Sequence, residues 1–83
     1  MEDMPRKGIY RHFKGNLYQL VDLARHSETE EWMVVYRPLY GEGGLWVRPL
    51  RMWNETVTRD GAQVRRFEWV GEPEDDNRPE SAV

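Results

Sequence analysis

The side chains of this sequence that could do chemistry are two histidines and a set of arginines interleaved with aromatic residues. His12 and His26 are the only histidines, and the sequence contains no cysteine. Two imidazole nitrogens would need two carboxylates to complete a tetrahedral zinc site, and histidines near strand ends more commonly make ordinary hydrogen bonds. We therefore expect neither a metal nor a cofactor.

Ser27 directly follows His26, and this pair suggests a serine nucleophile with a histidine base. Neighbours in sequence on a strand or tight loop usually point apart, and no acid is placed to orient the histidine. Ser27 and Thr29 are better explained by hydrogen bonds from their hydroxyls to turn backbone. An enzyme that uses His12 or His26 as acid or base, with Glu28 as its partner, is the least favoured of three function classes.

The arginines and aromatic residues form the stronger pattern, because guanidinium groups bind carboxylate or phosphate bidentately and also stack on rings. The primary candidates for ligand binding are Arg25, His26, Glu28, Tyr36 and Arg48, and the secondary candidates are Tyr10, His12, Lys14, Tyr40, Trp46 and Arg66. The same arginines could instead pair with acidic neighbours and cover aromatic edges. The pattern favours a binding module for an anionic small molecule, a peptide or single-stranded nucleic acid. A protein–protein interaction domain is the alternative.

The elements that must position these groups are organised around residues 31–50, two extended segments that each end in Arg-Pro-Leu. Trp32 to Tyr36 is the strongest predicted strand because it is rich in β-branched and aromatic residues. Pro38 and Pro49 lack the N–H that a ladder needs, so they indicate a sheet edge or a bulge. The Gly-rich turn at 41–44 lacks the Lys and Ser or Thr of a phosphate-binding loop.

Further strands are predicted on both sides of this hairpin. Residues 8–13 and 17–25 alternate around a turn at 14–16, and in the second of them Leu20 and Leu23 are expected on opposite faces. A helix also fits the spacing over 17–25, but the turn favours a strand. Residues 51–56 predict a short helical or 3-10 turn, and Asp60-Gly61 predicts a hairpin turn before a closing strand at 63–70.

The resulting fold class is mainly β, a small antiparallel barrel of about five strands resembling an SH3-like barrel. The loop at 26–29 leaves the second strand, and Arg48 closes the partner of the third strand. Because cross-strand neighbours on one face interact, the five primary candidates are expected to converge at one end of this barrel.

Composition gives the organisation of the 83 residues and the expected partners. One domain is predicted over 8–70, with an N-terminal arm at 1–7 and a disordered acidic tail at 71–83, whose net charge is −4. Residues 8–70 have nine Arg or Lys against eight Asp or Glu, which is no nucleic-acid footprint by itself. No apolar run is long enough to cross a bilayer, and the lack of cysteine agrees with a cytoplasmic protein. We expect a monomer or weak dimer that does not bind membranes.

Several motifs together resemble a known family. They are Gly8-x-Tyr10-x-His12-Phe13-Lys14-Gly15-x-x-Tyr18, then residues 24–29, Val35-Tyr36-x-x-Leu39-Tyr40, Trp46-x-Arg48-Pro49, Asp60-Gly61 and Arg66-Phe67-Glu68. This pattern is similar to the bacterial domain of unknown function numbered 1653, with Trp53 standing where the family pattern has Phe. The resemblance implies a small bacterial domain found alone, with no established activity, and it transfers no catalytic residue.

Overall fold

The chain forms a mainly antiparallel β structure, as the sequence predicts. The computed structural model describes residues 4–73, so the tail predicted to be disordered lies, from residue 74 onward, outside the described residues. The elements in chain order are β1 (Gly8–His12), β2 (Leu17–Arg25), β3 (Trp32–Pro38), β4 (Trp46–Pro49), α1 (Leu50–Trp53), β5 (Thr56–Arg59), β6 (Ala62–Arg65) and β7 (Phe67–Gly71).

Five of the strands form one sheet in the order β4-β3-β2-β1-β7, and β5 pairs with β6 in a separate hairpin. All neighbouring strands are antiparallel. Within residues 4–73, β4 and β7 are the two edges of the sheet, so no closed barrel is found there. The antiparallel β fold with one short helix is confirmed, and the likeness to an SH3 barrel is not.

The predicted turn at Asp60-Gly61 joins β5 to β6. Both residues have positive φ, 53° and 78°, as a two-residue hairpin turn of the primed type requires. The predicted closing strand at 63–70 is divided by this arrangement: β6 ends at Arg65 and β7 begins at Phe67. Arg66, which lies between them, donates its backbone N–H to Glu55 and accepts one from Phe13. The chain therefore leaves the hairpin at Arg66 and enters the main sheet.

A bulge in β2 changes the face of the sheet on which its side chains lie. Leu20 lies opposite Tyr36 and Leu23 lies opposite Val34, with the ladder shifting register at Val21. A bulge adds one residue to one strand, so two leucines spaced by three residues reach the same, core-facing side. The prediction that they lie on opposite faces is therefore wrong.

The core is a layer of aromatic and aliphatic side chains between the sheet and α1. Its buried members are Tyr10, Leu20, Val34, Tyr36, Leu50, Trp53 and Phe67. Trp53 stacks on Phe67 with ring centroids 3.8 Å apart and an interplanar angle of 2°. The short helix confirms the helical turn predicted near 51–56, and it is stabilised by placing this indole on the sheet, since an aromatic ring buries roughly 150–250 Å².

The described part of the N-terminal arm lies against β7. Tyr10 donates its hydroxyl hydrogen to the carbonyl of Arg6 at 2.7 Å, and Trp69 Nε1 donates to the carbonyl of Lys7 at 3.2 Å. The Arg6 guanidinium lies 3.7 Å from the Trp69 ring centroid. Gly8, where the arm becomes β1, has φ +144°, and a Cβ there would lie 2.4 Å from Trp69 Nε1. The close approach of the arm to β7 therefore requires glycine.

Candidate functional site

One end of the core-facing side of the sheet carries a cluster of five rings that runs from the core to the surface, since two of them are buried, two are partly buried and one is exposed. Tyr18 is its centre, and its ring centroid lies 5.5–6.1 Å from those of the other members. The members of this aromatic cluster are His12, Tyr18, Tyr36, Tyr40 and Phe67. The pairing of the strands explains why these rings lie close together. His12 of β1 lies opposite Phe67 of β7, and β2, which carries Tyr18, lies between β1 and β3, which carries Tyr36.

Arg48 is the charged group of this surface. Its guanidinium carbon lies 5.2 Å from the ring centroid of Phe67 and 5.5 Å from that of Tyr36. The side chain is half-buried, and its Nε is buried without a hydrogen-bond acceptor among residues 4–73. Contacts with ring faces favour a cation by roughly 0.5–2 kcal/mol, whereas a desolvated charge without a counterion costs several kcal/mol. The arrangement therefore favours an anion beside Arg48.

His12 is a neutral hydrogen-bond donor in this setting. Its Nδ1 accepts the backbone N–H of Lys14 at 3.2 Å, so the proton of the neutral ring is on Nε2. Burial lowers the pKa of His12 below its usual value, and the positive charges of Arg66, Arg48 and Lys14 lower it further. At neutral pH the ring can donate a hydrogen bond from Nε2 without adding charge.

The tyrosines supply a further donor. The hydroxyl oxygens of Tyr18 and Tyr40 are 2.8 Å apart, so one hydroxyl donates to the other. Burial, together with the hydrogen bond to Tyr40, raises the pKa of Tyr18 to about 12. Tyr18 is therefore protonated at neutral pH, and the hydroxyl that accepts the hydrogen bond keeps its own O–H for another partner.

A cavity of about 380 Å³ continues from the aromatic cluster into the β3–β4 turn. Its walls are Tyr18, Tyr36, Pro38, Tyr40, Gly41, Glu42, Gly43 and Trp46. Trp46 is 58% exposed and donates its Nε1 hydrogen to the carbonyl of Gly43 at 3.4 Å. Tyr18, Tyr36 and Tyr40 belong both to this cavity and to the aromatic cluster, and the Tyr36 ring is also the one that Arg48 contacts, although Arg48 itself does not line the cavity.

The structure separates the other three primary candidates from Tyr36 and Arg48. Arg25, His26 and Glu28 lie at the β2–β3 turn, where Arg25 Nη1 donates to the carbonyl of Glu30 at 2.8 Å. His26 Nδ1 accepts the backbone N–H groups of Glu28 and Thr29 at 3.1 and 3.3 Å. These bonds hold the turn together.

The distance along β3 shows that the primary candidates are not one cluster. Arg25 lies 4.2 Å from the ring of Trp32, and Trp32 is four residues before Tyr36 in the same strand, roughly 13 Å at the usual rise. The five primary candidates therefore do not converge at one end of the sheet.

The secondary candidates divide in the same way. His12 and Tyr40 belong to the aromatic cluster, and Trp46 lines its cavity. Tyr10 is in the core. Lys14 lies in the β1–β2 turn, 5.8 Å from the Phe13 ring, and Arg66 Nε forms an ion pair with Glu55 at 3.2 Å.

Two members of the aromatic cluster, Tyr18 and Phe67, are absent from the residues that the sequence suggested. Tyr18 precedes the buried Leu20 by two residues, which is the period of one strand face. That spacing could have identified it. Phe67 could have been found less easily, because its position depends on the break between β6 and β7.

Residues 4–73 lack two other kinds of feature. No group of three or more His, Asp or Glu side chains there is arranged to hold a metal ion. Across the same residues, no helix has the length and apolar character needed to cross a membrane.

Comparison with known proteins gives one family and one structure. Residues 8–69 match the model of a family described as protein of unknown function (DUF1653). The crystal structure of a protein belonging to DUF1653 from Bordetella bronchiseptica is similar, with a TM-score of 0.74 and 46% identity over 81% of this chain and 88% of that chain. No curated protein matches the chain. The family match includes Arg48 and every member of the aromatic cluster.

Proposed function

The chain belongs to DUF1653, a family of proteins of unknown function. We propose that it is a small binding module whose Arg48 holds the carboxylate of an organic anion. The observation that supports the proposal is the half-buried guanidinium of Arg48, whose Nε has no acceptor among residues 4–73. A carboxylate beside this guanidinium would supply a countercharge.

The donors around Arg48 suit a single negative charge. His12 is a neutral donor there, Arg66 has its own ion pair with Glu55, and the Tyr18–Tyr40 pair offers one hydroxyl hydrogen. One guanidinium with two neutral donors matches the charge and the hydrogen-bond capacity of one carboxylate. A strand of nucleic acid would instead require a track of cations, which the near-balanced charge of residues 8–70 does not favour.

The remainder of the ligand would lie in the cavity at the β3–β4 turn. A volume of about 380 Å³ is enough for a ring or a short apolar chain, and the walls are mainly aromatic. The expected ligand class is therefore a carboxylic acid with an aromatic or apolar body. The carboxylate would decide orientation, and the ring would supply most of the buried area.

The test is a titration of the protein with benzoate, followed by NMR of the backbone amides. We expect shifts at Tyr18, Tyr36 and Arg48, and much smaller shifts with benzamide, which has the same ring without the charge. Arg48→Met keeps the apolar stem and removes the guanidinium, so it should weaken benzoate binding by about tenfold or more.

Arg51→Met is the matched control, because Arg51 is an exposed arginine that pairs with Glu31 at 2.8 Å. It should leave benzoate binding almost unchanged. Equal benzoate affinity in wild type and Arg48→Met, with both folded, would show the proposal to be wrong. If Arg48→Met does not fold, Arg48→Lys retains the charge without the fork and should still weaken binding.

The alternative, a protein–protein interaction domain, is favoured by one feature of edge strand β4. Leu45, Trp46 and Val47 are consecutive and 64%, 58% and 59% exposed, and an exposed edge strand can pair with another chain. Under this alternative, Val47→Lys would abolish self-association or capture of a partner protein. Light scattering of the two proteins over a range of concentrations would show whether the chain self-associates.

A further inference from the structure

A cavity of about 220 Å³ lies between the described part of the N-terminal arm and the core. Residues 4–6 form the arm side of this arm cavity. The rest of its lining is Tyr10, Trp53, Asn54, Arg65, Phe67 and Trp69, which includes four aromatic rings. Arg48 and the β3–β4 turn do not line it, so the arm cavity is a different place from the carboxylate site.

The four rings of the arm cavity are neighbours of one another. Trp53 stacks on Phe67, and its ring centroid lies 5.2 Å from that of Tyr10 in an edge-to-face arrangement. Trp69 lies opposite Tyr10 across β1 and β7, and opposed residues place their side chains on the same face of a sheet. An apolar cavity of about 150 Å³ is enough to bind benzene. The arm cavity therefore has room for an aromatic ring with a small substituent, and its walls favour one.

The charges at the arm cavity favour a neutral molecule. The Arg6 guanidinium lies over the Trp69 ring and pairs with Glu72 at 3.4 Å. Arg65 also has an interaction partner within the protein. Neither arginine is therefore left to be neutralised by a ligand, and a charged ligand would lose its hydration without gaining a counterion.

Trp53 adds a polar requirement to this largely aromatic cavity. Its side chain is 1% exposed, and its Nε1 is buried without an acceptor among residues 4–73. The other two donors are already used, since the Tyr10 hydroxyl donates to the carbonyl of Arg6 and Trp69 Nε1 donates to that of Lys7. An indole nitrogen can only donate, so a ligand that satisfies Trp53 must carry an acceptor.

We propose that the arm cavity binds a small neutral aromatic molecule with one hydrogen-bond acceptor, which takes the hydrogen of Trp53 Nε1. The ring of the ligand packs against Tyr10, Phe67 and Trp69. Because Nε1 is buried, the arm shifts as the ligand enters, and the exposed ion pair of Arg6 opposes this shift only weakly. The site does not depend on the function proposed for Arg48.

The experiment is an NMR titration of the full-length protein with two probes. Acetophenone is a neutral aromatic ketone, and isopropenylbenzene has a methylene group in place of the carbonyl oxygen. We expect acetophenone to shift the amide signals of Arg6 and Tyr10 and to move the indole N–H signal of Trp53 downfield, because a new hydrogen bond deshields that proton.

Two variants show whether the N–H of Trp53 binds the ligand. Trp53→Phe keeps a ring and removes the donor, so it should weaken acetophenone binding about fivefold and change isopropenylbenzene binding by no more than about twofold. Trp32→Phe is the matched control, because Trp32 is a partly buried tryptophan that does not line the arm cavity. It should leave the affinity for both probes almost unchanged.

Each outcome decides the proposal. Absence of acetophenone binding at millimolar concentration overturns it, and so do shifts confined to Tyr36, Tyr40 and Trp46, which would place the probe in the β3–β4 cavity. An equal effect of Trp53→Phe on the two probes also overturns it. If Trp53→Phe does not fold, the wild-type indole signal of Trp53 provides the test and must move further with acetophenone than with isopropenylbenzene. Arg48→Met should lose benzoate binding and retain acetophenone binding, so the two proposals can fail separately.

Discussion

At the residue scale, His12 couples the fold to pH. Burial and the charges of Arg66, Arg48 and Lys14 lower its pKa in the folded protein, so the unfolded chain binds this proton more tightly. The stability due to neutral His12 is present in full above the unfolded pKa, about 6.5, and is lost as pH falls through the folded pKa. We expect the free energy of unfolding to decrease with acidification in this window. His12→Gln should reduce that decrease.

The check is urea unfolding of wild type and His12→Gln at a series of pH values between neutral and mildly acidic. An identical dependence on pH in the two proteins would contradict the assignment to His12. Benzoate adds a second measurement, because an anion beside Arg48 would oppose the charges that lower the pKa of His12. The pKa of the ring, followed by NMR, should therefore rise when benzoate is added.

Gly8 provides a second prediction about a single residue. A Cβ at this position would lie 2.5 Å from the carbonyl oxygen of Gly71, which is backbone and cannot rotate away. Gly8→Ala should therefore destabilise the fold by about 1–3 kcal/mol more than Gly15→Ala. Gly15 is the matched control, since its φ of +111° is also positive but no atom lies within 4 Å of its added Cβ. If denaturant unfolding shows equal losses of stability in the two variants, glycine is needed at position 8 only because of the positive φ.

At the scale of elements, α1 contributes to the fold mainly through Trp53. The indole is 1% exposed, is stacked on Phe67, and has an Nε1 without a hydrogen-bond partner in residues 4–73. Trp53→Ala should cost about 3–5 kcal/mol. Trp53→Phe keeps a ring for stacking and removes the unpartnered N–H, so it should cost less than about 1.5 kcal/mol. Chemical denaturation measures both, and a loss in Trp53→Phe as large as in Trp53→Ala would contradict the stacking role.

The elements also show where prediction from the sequence succeeds and where it fails. Strands and turns are local properties, so the alternation in β1, the β-branched run of β3 and the Asp60-Gly61 turn could be identified from the sequence. The bulge at Val21 and the break at Arg66 could not, because both depend on pairing with strands distant in sequence.

The candidate site, like the strands, can be predicted from the sequence only in part. Residue type alone identifies Arg48 and Tyr36 as candidates. The separation of Arg25 and His26 from them follows from register, which no local pattern contains.

At the scale of the whole molecule, the distribution of charge matters more than its total. Residues 74–83 contain four acidic residues and Arg78, a sum of −3, so residues 1–73 sum to zero within the net charge of −3. The chain therefore combines a neutral 73-residue part with a short negative segment. Charge of that sign lowers the local concentration of anions around the molecule.

Removing residues 74–83 should therefore strengthen benzoate binding beside Arg48 at low ionic strength. We expect an increase of about two- to threefold in affinity, which should disappear toward physiological salt, where the Debye length is about 8 Å. The control is a chain of full length in which Glu74, Asp75, Asp76 and Glu80 are replaced by Gln or Asn, since it changes charge without changing length. Calorimetry should give the same increase for both variants. An increase only in the shortened chain would mean that the segment acts by its bulk, and an increase that persists at high salt would show that its effect is not long-range repulsion.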